Sequence, residues 1–271
     1  MIYYLVTRPH AYTVATFVQG WGKALAGHVL VAPYDGLFAG NPLPQGGTYI
    51  FSDLDRLTPG ERARLVPLRD GLRGRVLNDP QRSLLRYELL SALHARGINA
   101  FRAWRNGEAP ERQPVFLRPE AGFLTAAPQL HAMAPPIPEG QLAVEFCDTA
   151  GADGLYRKYG AYVVGERIVP RHLFFSRNWL VKGADLRQPE HLAEELDYLR
   201  GNPHAAPLLE VSRLARIEWG RIDYSLLDGR IQVWEINTNP LFVLPGIEDG
   251  REAAHRLSAQ GIVEALLALE R

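Results

Sequence analysis

Residues 222–236 read as one β-hairpin, and no other stretch of this 271-residue chain restricts its fold as tightly. Two runs rich in β-branched and aromatic residues, 222–227 and 230–236, flank Asp228-Gly229, the dipeptide that a tight two-residue hairpin turn favours. Asp223 stands near the start of the first strand and Glu235 near the end of the second. The turn therefore brings both carboxylates to one end of the ribbon. Asn237 follows two residues later, and residues two apart in extended chain point the same way. Three hard oxygen side chains converge on one side of a sheet. Such a set suits Mg²⁺, which takes few protein oxygens and keeps positions for phosphate and water. Ions of this kind bridge phosphates and neutralise charge during phosphoryl transfer. The alternative is a pair of solvated acids at strand ends. Trp234 and Ile236 on either side of Glu235, and the Asn-Thr-Asn-Pro that follows, argue against it.

The rest of the chain frames this hairpin. Residues 2–6 and 28–32 read as strands with a helix over 11–26 between them, a β-α-β opening that predicts a parallel sheet. A third strand at 49–51 is followed by Thr58-Pro59-Gly60-Glu61, a helix start with an N-cap, an early Pro and a capping Glu. After a brief strand at Val76-Leu77, leucines at helical spacing predict a helix over 81–96, ended by Gly97. Strand-like pieces follow at 100–104 and 115–118, then a proline-rich linker or loop at 126–140. Strands at 142–147 and 159–164 come next, the second turning at Gly165-Glu166 into a partner strand at 167–175. Helices over 189–200, 207–218 and 248–270 complete the pattern.

Lys+Arg and Asp+Glu both number 30, so no net field draws the chain to nucleic acid or an acidic membrane. The single cysteine, Cys147, excludes an intrachain disulfide, and no His/Asp pattern marks it as a nucleophile. The N-terminus lacks the features of a signal peptide, and no apolar run approaches the roughly 20 residues of a bilayer span. A cytoplasmic protein is expected.

Arg221-Ile-Asp223 together with Glu235-Ile-Asn237-Thr-Asn-Pro240 resembles the closing metal motif of the ATP-grasp superfamily, which includes D-alanine–D-alanine ligases, glutathione synthetases and ribosomal-protein glutamate ligases. The resemblance runs back to about residue 76; the N-terminal lobe matches only in layout. It implies an α/β chain, α+β in its C-terminal part, with an ATP-grasp fold preceded by a small open-sheet domain. The implied units are 1–80, a lid subdomain at 81–140, and 141–271 with the hinge strand and metal site. It implies ATP with Mg²⁺ or Mn²⁺, the metal held by Asp223, Glu235 and Asn237.

The resemblance also places Arg86 and Arg118 where the family usually carries nucleotide-contacting lysines, eleven residues before Gly97-Ile98 and at the end of Pro114-Val-Phe-Leu-Arg118. Charge is kept, but a planar fork replaces a point charge. Glu145-Phe146-Cys147 resembles the hinge that holds adenine. Lys158 stands where an acid often meets the ribose, Gly160 where an Arg is common, and the phosphate loop is reduced to Glu120-Ala-Gly122. Lys158 and Lys182, in a basic segment between hinge and metal strands, fall to the nucleotide. Arg171 and His172 become candidates for phosphate contact, with a structural role the alternative for His172. Arg221 becomes a candidate for a substrate carboxylate or acyl phosphate. The implied activity is an ATP- and Mg²⁺-dependent ligase that activates a carboxylate as an acyl phosphate for an amine or thiol. A small-molecule kinase and a nucleotide-binding scaffold without turnover are the alternatives. The expected substrate is a small molecule or a peptide, with oligomeric state left open.

Overall fold

The structure, a computed structural model, describes residues 1–111, 114–122, 124, 128–133 and 135–270. The chain opens with β1 (Ile2–Val6), α1 (Tyr12–Gly20), β2 (Val29–Pro33), α2 (Tyr34–Phe38), β3 (Gly47–Phe51), α3 (Pro59–Asp70) and β4 (Gly74–Leu77). Its four strands form a parallel sheet ordered β2-β1-β3-β4. β1 and β3 are buried along their whole length. Both faces of a parallel sheet are covered, so its central strands are continuous apolar and aromatic runs. α3 begins with the expected capping box: Thr58 Oγ1 accepts from Glu61 N, and Glu61 accepts from Thr58 N.

A small antiparallel sheet follows, ordered β5-β7-β6, from β5 (Ala103–Arg105), β6 (Val115–Pro119) and β7 (Gln141–Glu145), with α4 (Arg86–Ala95) before it. The third sheet is antiparallel, ordered β11-β10-β8-β9, from β8 (Tyr156–Val164), β9 (Arg167–Ser176), β10 (Trp219–Leu227) and β11 (Arg230–Asn237). α5 (Pro189–Gly201) and α6 (Ala205–Ala215) lie between β9 and β10, and α7 (Glu252–Leu267) ends the chain. Asp228 and Gly229 both take positive φ, 50° and 75°, as the hairpin turn requires.

Several expected boundaries move. The helix predicted over 81–96 starts only at Arg86. Tertiary bonds capture the residues before it: Ser83 Oγ donates to Arg216 O, Leu84 N to Ala215 O, and Leu85 is extended. α1 stops at Gly20 and α7 begins at Glu252, each shorter than its apolar pattern. α2 had no periodic signal because it is only five residues long. Of the proline-rich stretch 126–140, Ala126, Ala127 and Ala134 lie outside the described residues. His131 there pairs with Val115 of β6 through two backbone bonds, so part of this stretch is packed on the small sheet.

One aromatic core joins the parallel sheet to the third sheet. Tyr4, Tyr162, Trp219 and Phe242 are buried together with residues of α7. Asn78, just after β4 and fully buried, clasps the two sheets: Nδ2 donates to Phe51 O and Trp219 O, and Oδ1 accepts from Glu218 N and Trp219 N. The loop after β11 is tied down as well. Asn239 Oδ1 accepts from Tyr4 Oη and Thr13 Oγ1, and Thr238 Oγ1 accepts from Leu54 N. The C-terminal hairpin is thereby fixed against the N-terminal sheet, with a cleft between them.

Candidate nucleotide and metal site

The β10–β11 ladder runs regularly from Leu227↔Arg230 to Tyr224↔Val233, and the next pair is Asp223↔Glu235. Trp234 is thus a bulge. In an unbroken ladder Asp223 would oppose Trp234, and Glu235 would point to the other side. The bulge places Glu235 opposite Asp223 and Asn237 opposite Arg221, so all four share one side of the sheet. The predicted convergence is present, and it needs a register shift that residue spacing does not reveal.

Each acid holds cations of the chain. Asp223, 2% exposed, accepts from Arg221 Nε at 2.6 Å and Nη2 at 3.1 Å, with Lys158 Nζ at 3.3 Å. Glu235 Oε2 accepts from Arg118 Nη2 at 2.6 Å and Arg86 Nη2 at 2.9 Å. Burial alone would raise the Glu235 carboxyl, but the two arginines override it and hold the group well below the ordinary carboxylate range. Two acids against four cations leave a net positive site, suited to a polyanion.

Arg86 lines the polar cavity and is paired with Glu235. Its Nη1 donates to the carbonyls of Pro119 and Glu120, and its Nη2 also to that of Gly122. It ties the Glu120–Gly122 segment to Glu235. Arg118 lines the cleft beside Glu235.

Two connected spaces meet at the acids. The first is an apolar slot of about 100 Å³ walled by Phe116, Phe146, Cys147, Trp179 and Trp234. Trp234 stacks on Phe101 at 4.7 Å and donates Nε1 to Ser225 Oγ. The second is a polar cavity of about 350 Å³ between the hairpin and the N-terminal sheet. Lys158, Lys182, Asp223 and Glu235 line both. Burial and the neighbouring Lys158 lower the Lys182 ammonium. Phe146 and Cys147 lie beyond the end of β7, in the slot. Glu145 is not part of that wall; its amide donates to Arg102 O and its carboxylate accepts from Arg102 N.

Arg171 and His172 are corrected. Neither reaches the wall of the slot or the cavity. A second bulge, in β8–β9, leaves Gly160 opposite His172 and Arg171 without a pair. The His172 ring lies over Gly160, where an added Cβ would meet it at 2.5 Å, and stacks on Phe174. That ring accounts for glycine at 160. Burial, with Arg221 and Arg171 adding to it, pushes the His172 imidazole well below its usual range, so it is neutral and structural. Burial likewise pushes the Arg171 guanidinium down to about 10.

The opposite wall of the polar cavity had no sequence signal. It carries His10, Thr13, Asp53, Asp55 and Arg56 from the N-terminal sheet and its loops. Asp53 sits at φ 58°, and its 3% exposed carboxylate accepts from Thr7 Oγ1 and from His10 Nδ1. A non-glycine residue at positive φ after a strand would have been the only hint, and sequence does not display φ.

No family model and no curated protein matches the chain. Solved structures do. The ATP-grasp ligase PsnB, complexed with a phosphomimetic variant of minimal precursor, Mg and ADP, aligns at a TM-score of 0.56 and 13% identity over 100% of this chain and 97% of that one. This chain has the ATP-grasp fold. D-alanine–D-alanine ligase from Bacillus anthracis aligns at 0.54 and 13% over 99% and 95% of the two chains. D-cycloserine synthetase DcsG aligns at 0.54 and 17% over 98% and 100%. The ATP-grasp assignment rests on three-dimensional likeness, and it fits the three sheets and the cleft described above.

The donor set fits a hard divalent ion. Two facing carboxylates and a carboxamide on the next pair offer oxygen only, and Mg²⁺ is commonly held by one or two carboxylates plus ligand phosphates. Asn237 Oδ1 also accepts from Asn239 N at 2.9 Å, which holds it at the cavity. Among the described residues no group of three His, Cys, Asp or Glu forms a protein-only cage. A cation here would share its shell with a bound anion.

Proposed function

We propose that the chain is an ATP-dependent ligase that joins a carboxylate to an amine or thiol through an acyl phosphate. One observation carries the reading: an apolar slot walled by aromatic side chains opens, past two lysines and two facing acids, into a polar cavity with a second wall of polar side chains. Neighbours of the same fold support it, since D-alanine–D-alanine ligase has been solved with ATP and PsnB with ADP and Mg.

In this reading Phe146, Cys147, Trp179 and Trp234 enclose the base. Lys158, Lys182 and Arg118 meet the phosphates, and Arg86 holds the loop at Glu120–Gly122 over them. Asp223, Glu235 and Asn237 would hold Mg²⁺ or Mn²⁺, whose chemistry here is neutralisation of charge on the transferred phosphoryl group. Arg221, fixed by Asp223, faces the carboxylate being activated. The chain supplies position and charge, and no side-chain nucleophile is required. Residues 1–80, 81–140 and 141–271 serve as acceptor-side, lid and metal-side units. The described residues include no helix long and apolar enough to cross a membrane.

The test is ADP release from Mg·ATP with panels of amino acids and peptides, using hydroxylamine to trap an activated acyl group. Failure to bind Mg·AMP-PNP by calorimetry would end both the ligase and the kinase readings. Binding without ADP release on any panel would favour the scaffold reading. Pairing of both acids with the chain's own cations is the observation on that side.

Cys147 gives a check on the slot. Burial, then Glu145 and Asp148, push its thiol up to about 11, so only about one molecule in a thousand is thiolate at pH 8. Maleimide labelling of this single cysteine is expected to be slow at pH 8, to rise roughly tenfold per pH unit toward 11, and to be blocked by AMP-PNP. Labelling unaffected by the nucleotide would remove the base from this slot.

A further inference from the structure

The polar cavity has two walls, and the metal-side wall is taken up by the phosphates and the activated carboxylate in the reading above. The wall from the N-terminal sheet remains. Its residues reach the cavity from three separate segments: His10 after β1, Thr13 in α1, and Asp53 and Asp55 after β3. Asp55 Oδ2 accepts from Gly122 N at 3.4 Å and is engaged with the lid loop. Thr13 Oγ1 lies within hydrogen-bond distance of His10 O and Asn239 Oδ1. His10 is different. Its Nδ1 faces the buried Asp53 carboxylate at 2.7 Å and Thr7 Oγ1 at 3.1 Å, while the side chain stays 30% exposed on the cavity wall.

A buried carboxylate on one ring nitrogen fixes the neutral tautomer: Nδ1 carries the proton, and Nε2, on the far edge of the ring, presents a lone pair. That geometry is the orienting half of a His–Asp general base. Thr7 donates to the same carboxylate and holds it in place. Asp53 stays in a left-handed conformation that few residues adopt, an arrangement that costs backbone energy and keeps its carboxylate under His10.

We propose that His10, positioned by Asp53 and Thr7, is the base that deprotonates the attacking ammonium group, making the N-terminal sheet the acceptor subsite of the ligase. The proposal rests on the ligase reading. The ammonium gives one proton to Nε2 and the freed nitrogen lone pair forms the C–N bond; the acyl C–O bond then breaks, and the second N–H proton lost in making the amide goes to the departing phosphate, which leaves as hydrogen phosphate. The imidazolium then returns its proton to solvent or to the departing phosphate.

The experiment compares two nucleophiles on the wild type, His10→Asn and His10→Gln. Hydroxylamine is largely unprotonated at neutral pH and needs no base, whereas an α-amine arrives as ammonium. With the carboxylate that drives ADP release, both variants should keep hydroxamate formation within about twofold while amide formation falls about 100-fold, the lower range of general-base contributions. Equal loss with both nucleophiles, or no loss with either, overturns the proposal, because a structural role would not separate them. Long-range ¹H–¹⁵N NMR on the wild type should find His10 as the Nδ1–H tautomer; an Nε2–H ring overturns it without any turnover assay. If the wild type forms no hydroxamate with any acid, the ligase reading itself falls and takes this one with it.

Discussion

Asp223→Asn is expected to abolish the Mg²⁺ dependence of nucleotide binding and to cut ADP release by about two orders of magnitude or more, the scale of several kcal/mol of lost charge stabilisation. Asp223 is the better-buried of the two acids and holds Arg221 by two bonds and Lys158 by an ion pair. An asparagine keeps the shape, loses the anion, and leaves two cations without their counter-charge. Breaking such a pair costs about 3–5 kcal/mol. The apo variant should therefore also melt about 10 °C lower, at about 2–4 °C per kcal/mol for a chain of this size. A triphosphate supplies negative charge of its own. ATP without metal should restore part of that loss while MgCl₂ adds nothing. Calorimetry with AMP-PNP, with and without MgCl₂, and melting under the same conditions read both effects. A variant that binds Mg·AMP-PNP as the wild type does would remove Asp223 from the metal set.

Asn78→Ala should be the most destabilising single substitution away from the cleft. Its side chain makes four hydrogen bonds to backbone groups of β3 and of the start of β10, at zero exposure. At about 1 kcal/mol for each bond, with buried backbone groups left unpaired, the loss is about 4 kcal/mol or more. Alanine also tolerates φ 57° less well than asparagine. A melting point lowered by about 10 °C or more is expected. Because the clasp joins the N-terminal sheet to the sheet that carries the acids, nucleotide affinity should weaken as well. A change under 1 kcal/mol in urea unfolding would show that the two sheets are held by apolar packing alone.

The hairpin, the parallel sheet and the capping box of α3 were legible because each rests on local chemistry: a turn dipeptide, runs buried on both faces, a Thr and a Glu three apart. The turn dipeptide brought Asp223 and Glu235 to one end of the ribbon, though their facing each other depends on the bulge at Trp234, and Phe146 and Cys147 at the cleft came from the family resemblance alone. What escaped depends on register and on partners distant in the chain. Residues 81–85 have helical periodicity, yet Ser83 and Leu84 bond to the end of α6. Arg171 and His172 lie in a basic segment, but the bulge at Gly160/Ala161 and the ring over Gly160 turn them into the interior. Arg86 lines the polar cavity, but its bonds to the carbonyls of Pro119, Glu120 and Gly122 join segments more than 30 residues apart. His10 and Asp53 are 43 residues apart and meet only because β1 and β3 are neighbours in the sheet.

The bulge at Trp234 has a consequence for how the site can be altered. Successive residues of a regular strand serve opposite sides, so one strand rarely gives two neighbours to one ligand. Here Trp234 and Glu235 both line the same slot. The aromatic wall and the acid of the slot are thus coded by adjacent positions that can be separated by length. Removing Trp234 outright would restore an even ladder with the glutamate still facing Asp223, stripping an aromatic from the base while sparing the acid pair. By this register, the loss of the residue at 234 leaves the two carboxylates opposite each other.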